Sequence, residues 1–139
     1  MNGGESLVST LIDNGVKYIF GVPGESYLSV LEAIRAKNNA LRFINTRHES
    51  GASFAADAYG RLTSRPGVAF VTRGPGATNA SIGIHTARQD SNPLVMFVGQ
   101  VPTDQLGLES FQEINYSEMF GQVAKAVIEP IKAEDVSSA

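Results

Sequence analysis

Two short motifs contain the side chains best suited to chemistry. In the first, Arg47 and His48 lead directly into Glu49, whose carboxyl group could donate or accept a proton during a reaction. The second is a Gly-Pro-Gly sequence around Pro75, and a glycine-rich turn of this kind can bring backbone N–H groups close to a phosphate. Residue type alone therefore permits acid–base chemistry and anion binding.

Each motif also has a structural interpretation, which the spacing alone favours. A glutamate in the first turn of a helix interacts favourably with the helix dipole, so Glu49 need not be catalytic. His48 would then lead the chain into that helix rather than bind a ligand. The Gly-Pro-Gly sequence would be a tight turn that opens another helix.

The signature patterns of several enzyme classes do not occur in this sequence. A dinucleotide-binding loop needs a third glycine at the position of Asn79, and no Gly-Lys-Ser/Thr follows for a P-loop. The two histidines, His48 and His85, are far apart and form no HExxH zinc pattern. No serine lies in a GxSxG turn, so the sequence gives no support to a hydrolase.

Four apolar segments are predicted to be the strands that position these motifs. Most are rich in β-branched or aromatic residues, and three of the four end near glycine or proline, which is typical of buried parallel strands. The segments are Tyr18–Val22, Leu41–Ile44, Val68–Thr72 and Leu94–Val98.

Helical patterns alternate with these strands. Apolar residues at helical spacing predict helices around Leu7–Ile12, Tyr27–Ile34, Glu49–Leu62 and Ala77–Arg88. The helix after Glu49 is rich in glycine and alanine, which suits close packing against a sheet or a partner; a plain buried helix is the alternative. One more short helix and strand are expected between Ile114 and Val127. The alternation predicts an α/β fold with a parallel β-sheet flanked by helices on both faces.

The candidate site is one edge of this sheet. In open α/β sheets, ligands bind beyond the carboxyl ends of the strands. Four polar or glycine-containing turns are predicted to meet there: Pro23-Gly24, Arg47-His48-Glu49, Gly74-Pro75-Gly76 and Gly99-Gln100. Their convergence indicates a binding site and does not identify the ligand.

Composition restricts the partners and the location. The 139 residues fit one domain, with 42% hydrophobic and 18% charged residues. A net charge of -3 without a lysine or arginine cluster argues against nucleic-acid and membrane partners. The absence of cysteine and of a recognisable signal peptide favours a cytoplasmic protein. The last residues, Glu129–Ala139, suggest a further unit cut short, so we expect residues 1–139 to be part of a larger enzyme.

Taken together, these motifs resemble the N-terminal domain of the acetolactate synthase, pyruvate oxidase and decarboxylase group of thiamine-diphosphate enzymes. The resemblance extends from Gly3 to about Val127, and its strength lies in the order of seven motifs rather than in any one. The matching stretches are Phe20–Gly24, Arg47–Glu49, Ala56–Tyr59, Gly74–Asn79, Pro93–Val95, Gly99–Val101 and Phe111–Glu113.

The resemblance implies a pyrimidine-binding domain of a 2-keto acid decarboxylase or carboligase. In this family a second domain binds the diphosphate and a divalent metal through a Gly-Asp-Gly motif, which this sequence lacks. The binding site for thiamine diphosphate and Mg²⁺ would therefore be completed by a diphosphate-binding domain in cis or in trans, within a homo-oligomer. A split subunit or a non-catalytic binding module of the same fold is the alternative, and the chain alone is expected to be inactive.

The resemblance also assigns roles to individual residues. Glu49 corresponds to the family's catalytic glutamate, which bonds the N1′ nitrogen of the pyrimidine and favours the imino form of its amino group. Cofactor-binding roles fall on Pro23, Thr72, Pro75, Gly76 and Asn79, and substrate-side roles on Phe111 and Gln112; no residue is assigned to a metal. Structural alternatives remain open for several: Thr72 as a strand end, Asn79 as a helix cap, and Phe111 and Gln112 as an interface loop.

Two positions depart from the acetolactate synthase pattern. Glu25 stands where those enzymes typically have glycine, and Arg73 where they have serine. Each departure places a charge in a turn that forms the site. The resemblance therefore assigns the family and leaves the substrate open.

Overall fold

One parallel sheet of four strands forms the centre of the protein in a computed structural model that describes residues 2–37 and 40–139. Met1, Asn38 and Asn39 lie outside this description. The strands are β1 (Tyr18–Gly21), β2 (Arg42–Asn45), β3 (Gly67–Val71) and β4 (Leu94–Val98). They are arranged in the order β2-β1-β3-β4, and every pair is parallel. All four predicted strands are confirmed.

Helices precede and connect the strands as the alternating pattern predicts. The five α-helices of the described residues are α1 (Gly3–Asp13), α2 (Leu28–Ala36), α3 (Glu49–Thr63), α4 (Gly74–Asp90) and α5 (Tyr116–Phe120). Short 3-10 turns cover Glu25–Tyr27, Thr103–Gln105 and Ala133–Asp135. The α/β fold class is confirmed.

Apolar side chains on the two sides of the sheet pack under different helices. On one side, α1 and α2 cover a cluster that includes Val8, Ile19, Val30 and Phe70. On the other side, Tyr59 of α3 packs edge-on against Tyr18 of β1, with ring centroids 6.1 Å apart. Because helices cover both faces, every residue of the central strand β3 is buried.

The small residues of α3 serve close packing within the chain. A Cβ atom on Gly67 of β3 would lie 1.8 Å from the carbonyl oxygen of Ala56 in α3. A Cβ atom on Gly83 of α4 would lie 2.3 Å from the Oγ of Ser53. The helix therefore lies against both the sheet and α4, as its glycine- and alanine-rich sequence predicts.

Two predicted segments differ from the structure. Helix α4 begins at Gly74 rather than Ala77, because proline is favoured in the first helical turn, where its missing N–H has no partner to lose. Between Ile114 and Val127 the structure has the short helix α5, but no strand is found among the described residues of this segment. Within the last residues, Ala133–Asp135 form a single 3-10 turn.

No helix within residues 2–37 and 40–139 has the length and apolar character that crossing a membrane requires.

The approach of α3 to β3 makes Gly67→Ala strongly destabilising. The added methyl group must displace the backbone of Ala56, so we expect a loss of about 3 kcal/mol in the free energy of unfolding. Gly51→Ala is the matched control, because Gly51 is exposed in α3 and a Cβ there would be 3.9 Å from its nearest neighbour. That change should stabilise by about 0.5 kcal/mol. Urea denaturation measures the free energy of unfolding of each variant, and equal values for the two would contradict this packing.

Candidate active site

Glu49 is the first residue of α3, and the preceding residues fix its position. His48 is the N-cap, and its Nδ1 accepts a hydrogen bond of 3.2 Å from the backbone N–H of Ser50. The Thr46 hydroxyl donates to the carbonyl oxygen of His48 at 3.0 Å. His48 thus has the helix-leading role that the sequence favours, and it orients the backbone from which the Glu49 side chain projects.

Asn79 reaches Glu49 from the neighbouring helix. Its Nδ2 donates to Glu49 Oε2 at 2.9 Å, and the two residues are 30 positions apart in sequence. The alternative of Asn79 as a helix cap is wrong, because α4 begins at Gly74 with Arg73 as its N-cap. Asn79 instead lies within α4 and orients the carboxylate. In the described part of the chain, no hydrogen bond reaches the other oxygen, Oε1.

Gly76 brings the backbone of α4 close to that oxygen. A Cβ atom at this position would lie 3.6 Å from Glu49 Oε1 and 2.9 Å from Thr72 Cγ2. Any larger residue would therefore occupy the space that the carboxylate faces. The first turn of α4 provides backbone here instead of a side chain.

Thr72 connects the turns that follow β1 and β3. Its Oγ1 shares a hydrogen bond of 2.9 Å with the Oγ of Ser26, 46 positions away. A Cβ atom on Gly24 would lie 2.8 Å from Thr72 Cβ, and one on Gly99 would lie 1.9 Å from Ser26 Oγ. Thr72 follows Val71, the last residue of β3, so it does lie at the end of its strand. Its contacts with the turn after β1 are additional to that role.

The sequence interpretation missed Tyr27 as part of this edge, because its spacing fits the apolar face of a helix. The side chain is 5% exposed, and its hydroxyl donates to the carbonyl oxygen of Val22. Burial raises the pKa of Tyr27 to about 12, and the negative charge of Glu49 adds to this increase in pKa. Tyr27 therefore lies within electrostatic reach of the Glu49 carboxylate. No signal in the sequence distinguishes it from a core tyrosine.

Pro75, Asn79 and Gln112 line an open groove of about 430 Å³ beside this site. Gln112 belongs to the loop before α5, and its carbonyl oxygen accepts a hydrogen bond of 3.0 Å from the N–H of Gly74. Phe111 is 73% exposed at the same loop. Pro23 lies exposed after β1.

Glu113 holds the loop that carries Phe111 and Gln112. Its carboxylate accepts hydrogen bonds from the N–H groups of Gly107 and Ser110, which lower the pKa of Glu113. No cluster of three or more histidine, aspartate or glutamate side chains suited to a metal ion is found in the described part of the chain. The geometry thus offers one oriented carboxylate and a groove.

Comparison with known proteins identifies the family. The family described as "Thiamine pyrophosphate enzyme, N-terminal TPP binding domain" matches residues 1–119. The chain belongs to this family. Thiamine pyrophosphate is another name for thiamine diphosphate, so the resemblance drawn from the seven motifs is confirmed.

Acetolactate synthase large subunits are among the relatives of this thiamine pyrophosphate-binding domain. Those of Buchnera aphidicola and Haemophilus influenzae are 40% and 41% identical to it, over 98% and 99% of the chain. The isozyme 3 large subunit of Escherichia coli is 40% identical over 98% of the chain. The chain spans about a quarter (24%) of the length of each of these relatives.

The residues of this thiamine pyrophosphate-binding domain fit an aminopyrimidine ring. Glu49 Oε1 accepts no hydrogen bond within the described residues and is available to a ring nitrogen, and Gly76 places backbone without a side chain near that oxygen. Thr72 lies beside Gly76, and Asn79 donates to the other carboxylate oxygen. The individual roles of these residues stay predictions, and so do those of Pro23, Pro75 and the Phe111–Gln112 loop.

The raised pKa of Tyr27 predicts a loss of stability at alkaline pH. The folded chain holds the phenolic proton more tightly than the unfolded chain, whose pKa is near 10.0, so this contribution is complete below pH 10. It is lost as the pH rises toward about 12. In Tyr27→Phe, the free energy of unfolding should therefore fall less steeply above pH 10 than in the wild type. Urea denaturation at several pH values measures both slopes, and identical slopes would contradict the prediction.

Proposed function

We propose that this chain is the pyrimidine-binding domain of a thiamine-diphosphate-dependent enzyme that decarboxylates or joins 2-keto acids. One observation carries the proposal: the Glu49 carboxylate is oriented by Asn79 at one oxygen, while the other accepts no hydrogen bond within the described residues and lies beside the backbone of Gly76. Such a carboxylate suits proton sharing with a heterocyclic nitrogen. The similarity to acetolactate synthase large subunits supports a lyase or transferase of this kind.

Each of the chain's own residues has a defined part in this function. Glu49 holds a proton at N1′ of the pyrimidine, and Asn79 keeps the carboxylate directed at that atom. Gly76, with Pro75 beside it and Pro23 in the facing turn, lets the backbone approach the ring. Thiamine diphosphate, when bound, supplies the carbon centre that adds to the keto group of the substrate.

A second domain completes the site in this proposal. This domain binds the diphosphate and Mg²⁺, in cis or in trans, because the present sequence has no Gly-Asp-Gly motif. Phe111 and Gln112 then lie on the side from which a 2-keto acid enters.

A homo-oligomer and a cytoplasmic location remain predictions. Apolar side chains on the outer surfaces of α3 and α4 support self-association, since Phe54, Leu62 and Ile82 are 40%, 84% and 53% exposed. The cytoplasmic location rests on the cysteine-free sequence.

A non-catalytic or split-subunit binding module of the same fold is the second candidate. The module without catalysis would need no oriented carboxylate, so the orientation of Glu49 by Asn79 favours the enzyme. A split subunit differs only in where the second domain is encoded.

Replacing the carboxylate tests the function directly. In the complete enzyme, Glu49→Gln should lower kcat by roughly 10²–10⁴, because an amide cannot share a proton with the pyrimidine nitrogen. Steady-state kinetics gives the loss, and circular dichroism should show an unchanged fold.

Glu5→Gln is the matched control for this substitution. Glu5 also lies in the first turn of a helix, α1, where it completes a capping box that glutamine can also form. Its replacement should leave kcat within about twofold of the wild type. Near wild-type turnover in Glu49→Gln would refute the catalytic role.

The isolated chain should bind thiamine diphosphate only weakly, because the diphosphate carries most of the charge of the cofactor and its binding domain is a separate unit. Calorimetric titration of residues 1–139 with thiamine diphosphate and Mg²⁺ measures this affinity. Sub-micromolar binding would show that this chain holds the diphosphate by itself.

A further inference from the structure

The two charges that depart from the acetolactate synthase pattern contact each other. Arg73 Nη2 forms a hydrogen-bonded ion pair with the carboxylate of Glu25, although the residues are 48 positions apart. Glu25 follows β1, and Arg73 follows β3, which is the neighbouring strand. The pair therefore joins the two turns that carry most of the predicted cofactor contacts.

Arg73 is far more buried than its partner. Its side chain is 9% exposed, whereas that of Glu25 is 69% exposed. A buried guanidinium without its carboxylate would be an uncompensated charge, so the position of Arg73 depends on Glu25. Its Nε is buried with no hydrogen-bond partner among the described residues. Because one buried N–H group of Arg73 lacks a hydrogen-bond partner, we expect the pair to contribute more to the orientation of the two turns than to the free energy of folding.

Contacts on either side of the pair lead to the proposed cofactor and substrate positions. Beside it, the hydroxyls of Ser26 and Thr72 join the same two turns, and Thr72 in turn lies beside Gly76, which is close to Glu49. On its other side, the guanidinium carbon of Arg73 lies 5.9 Å from the centre of the Phe111 ring, within the range of a cation–π interaction.

We infer that Glu25 and Arg73 form a coupled positioning pair for the proposed reaction. The pair holds the turn after β1 against the start of α4, where Thr72 and Gly76 lie, while Arg73 also fixes Phe111 on the substrate side. This inference rests on the proposed function. Small displacements of a catalytic group reduce turnover strongly, so two residues that touch neither cofactor nor substrate can control the rate.

A double-mutant cycle in the complete enzyme tests the coupling. Glu25→Gln and Arg73→Ser should each raise the Kd for thiamine diphosphate and lower kcat by about tenfold. The double variant should resemble Arg73→Ser alone, because Glu25 no longer has a partner to lose. Multiplication of the two single effects in the double variant would overturn the inference.

Conservative variants separate positioning from simple stabilisation. Glu25→Asp and Arg73→Lys keep the charges and should recover part of the cofactor affinity and kcat, with a larger effect of Arg73 variants on the KM for the 2-keto acid. If the variants only lower the unfolding temperature, and leave the cofactor Kd and both kinetic constants unchanged, the positioning role is wrong. Should Arg73→Ser not fold, the exposed Glu25 still decides the matter through its Gln and Asp variants.

A second Glu–Arg pair provides the matched control. Glu32 and Arg35 form an ion pair within α2, but their side chains are 64% and 75% exposed. Glu32→Gln and Arg35→Ser should leave cofactor affinity and kinetics within about twofold of the wild type. Failure of the proposed function would appear as absent cofactor binding in the unmodified enzyme, whereas failure of the pair would appear only in its variants.

Discussion

The site depends on the close packing of α3 against α4. At their contact, Gly83 lies so near Ser53 that a Cβ atom would be 2.3 Å from the serine Oγ. This approach brings Asn79 on one helix within 2.9 Å of the Glu49 carboxylate on the other. Larger side chains at the contact would separate the helix axes, and the carboxylate would lose the amide that orients it.

The structural and chemical interpretations of Glu49 are compatible. The residue does occupy the first turn of α3, where the helix dipole favours a negative charge. One of its carboxylate oxygens also lies beside the backbone of Gly76, while Asn79 donates to the other. A helix N-terminus therefore supplies both the position and part of the electrostatic environment of the proposed proton-sharing group.

Most of the fold could be predicted because it depends on local patterns. The buried segment that forms β3 is apolar throughout, and glycine or proline lies near the ends of most strands. Prediction failed where the pattern contains no apolar residue, as at Gly74 and Pro75, which open α4 rather than precede it. The interpretation of Asn79 as a cap followed from that error, because a helix that begins at Ala77 places Asn79 within its first turn.

The sequence by itself determined the four strands of the sheet and the helices between them, and through the family resemblance it predicted the carboxyl edge as the site and Glu49 as its central residue. Only the tertiary structure decided that Asn79 orients Glu49, that Tyr27 lies within reach of the same charge, and that Glu25 pairs with Arg73. The physical reason is separation along the chain. Caps and strands depend on neighbours within a few residues, whereas these contacts depend on the strand order that places β1 beside β3 and on the packing of α3 against α4.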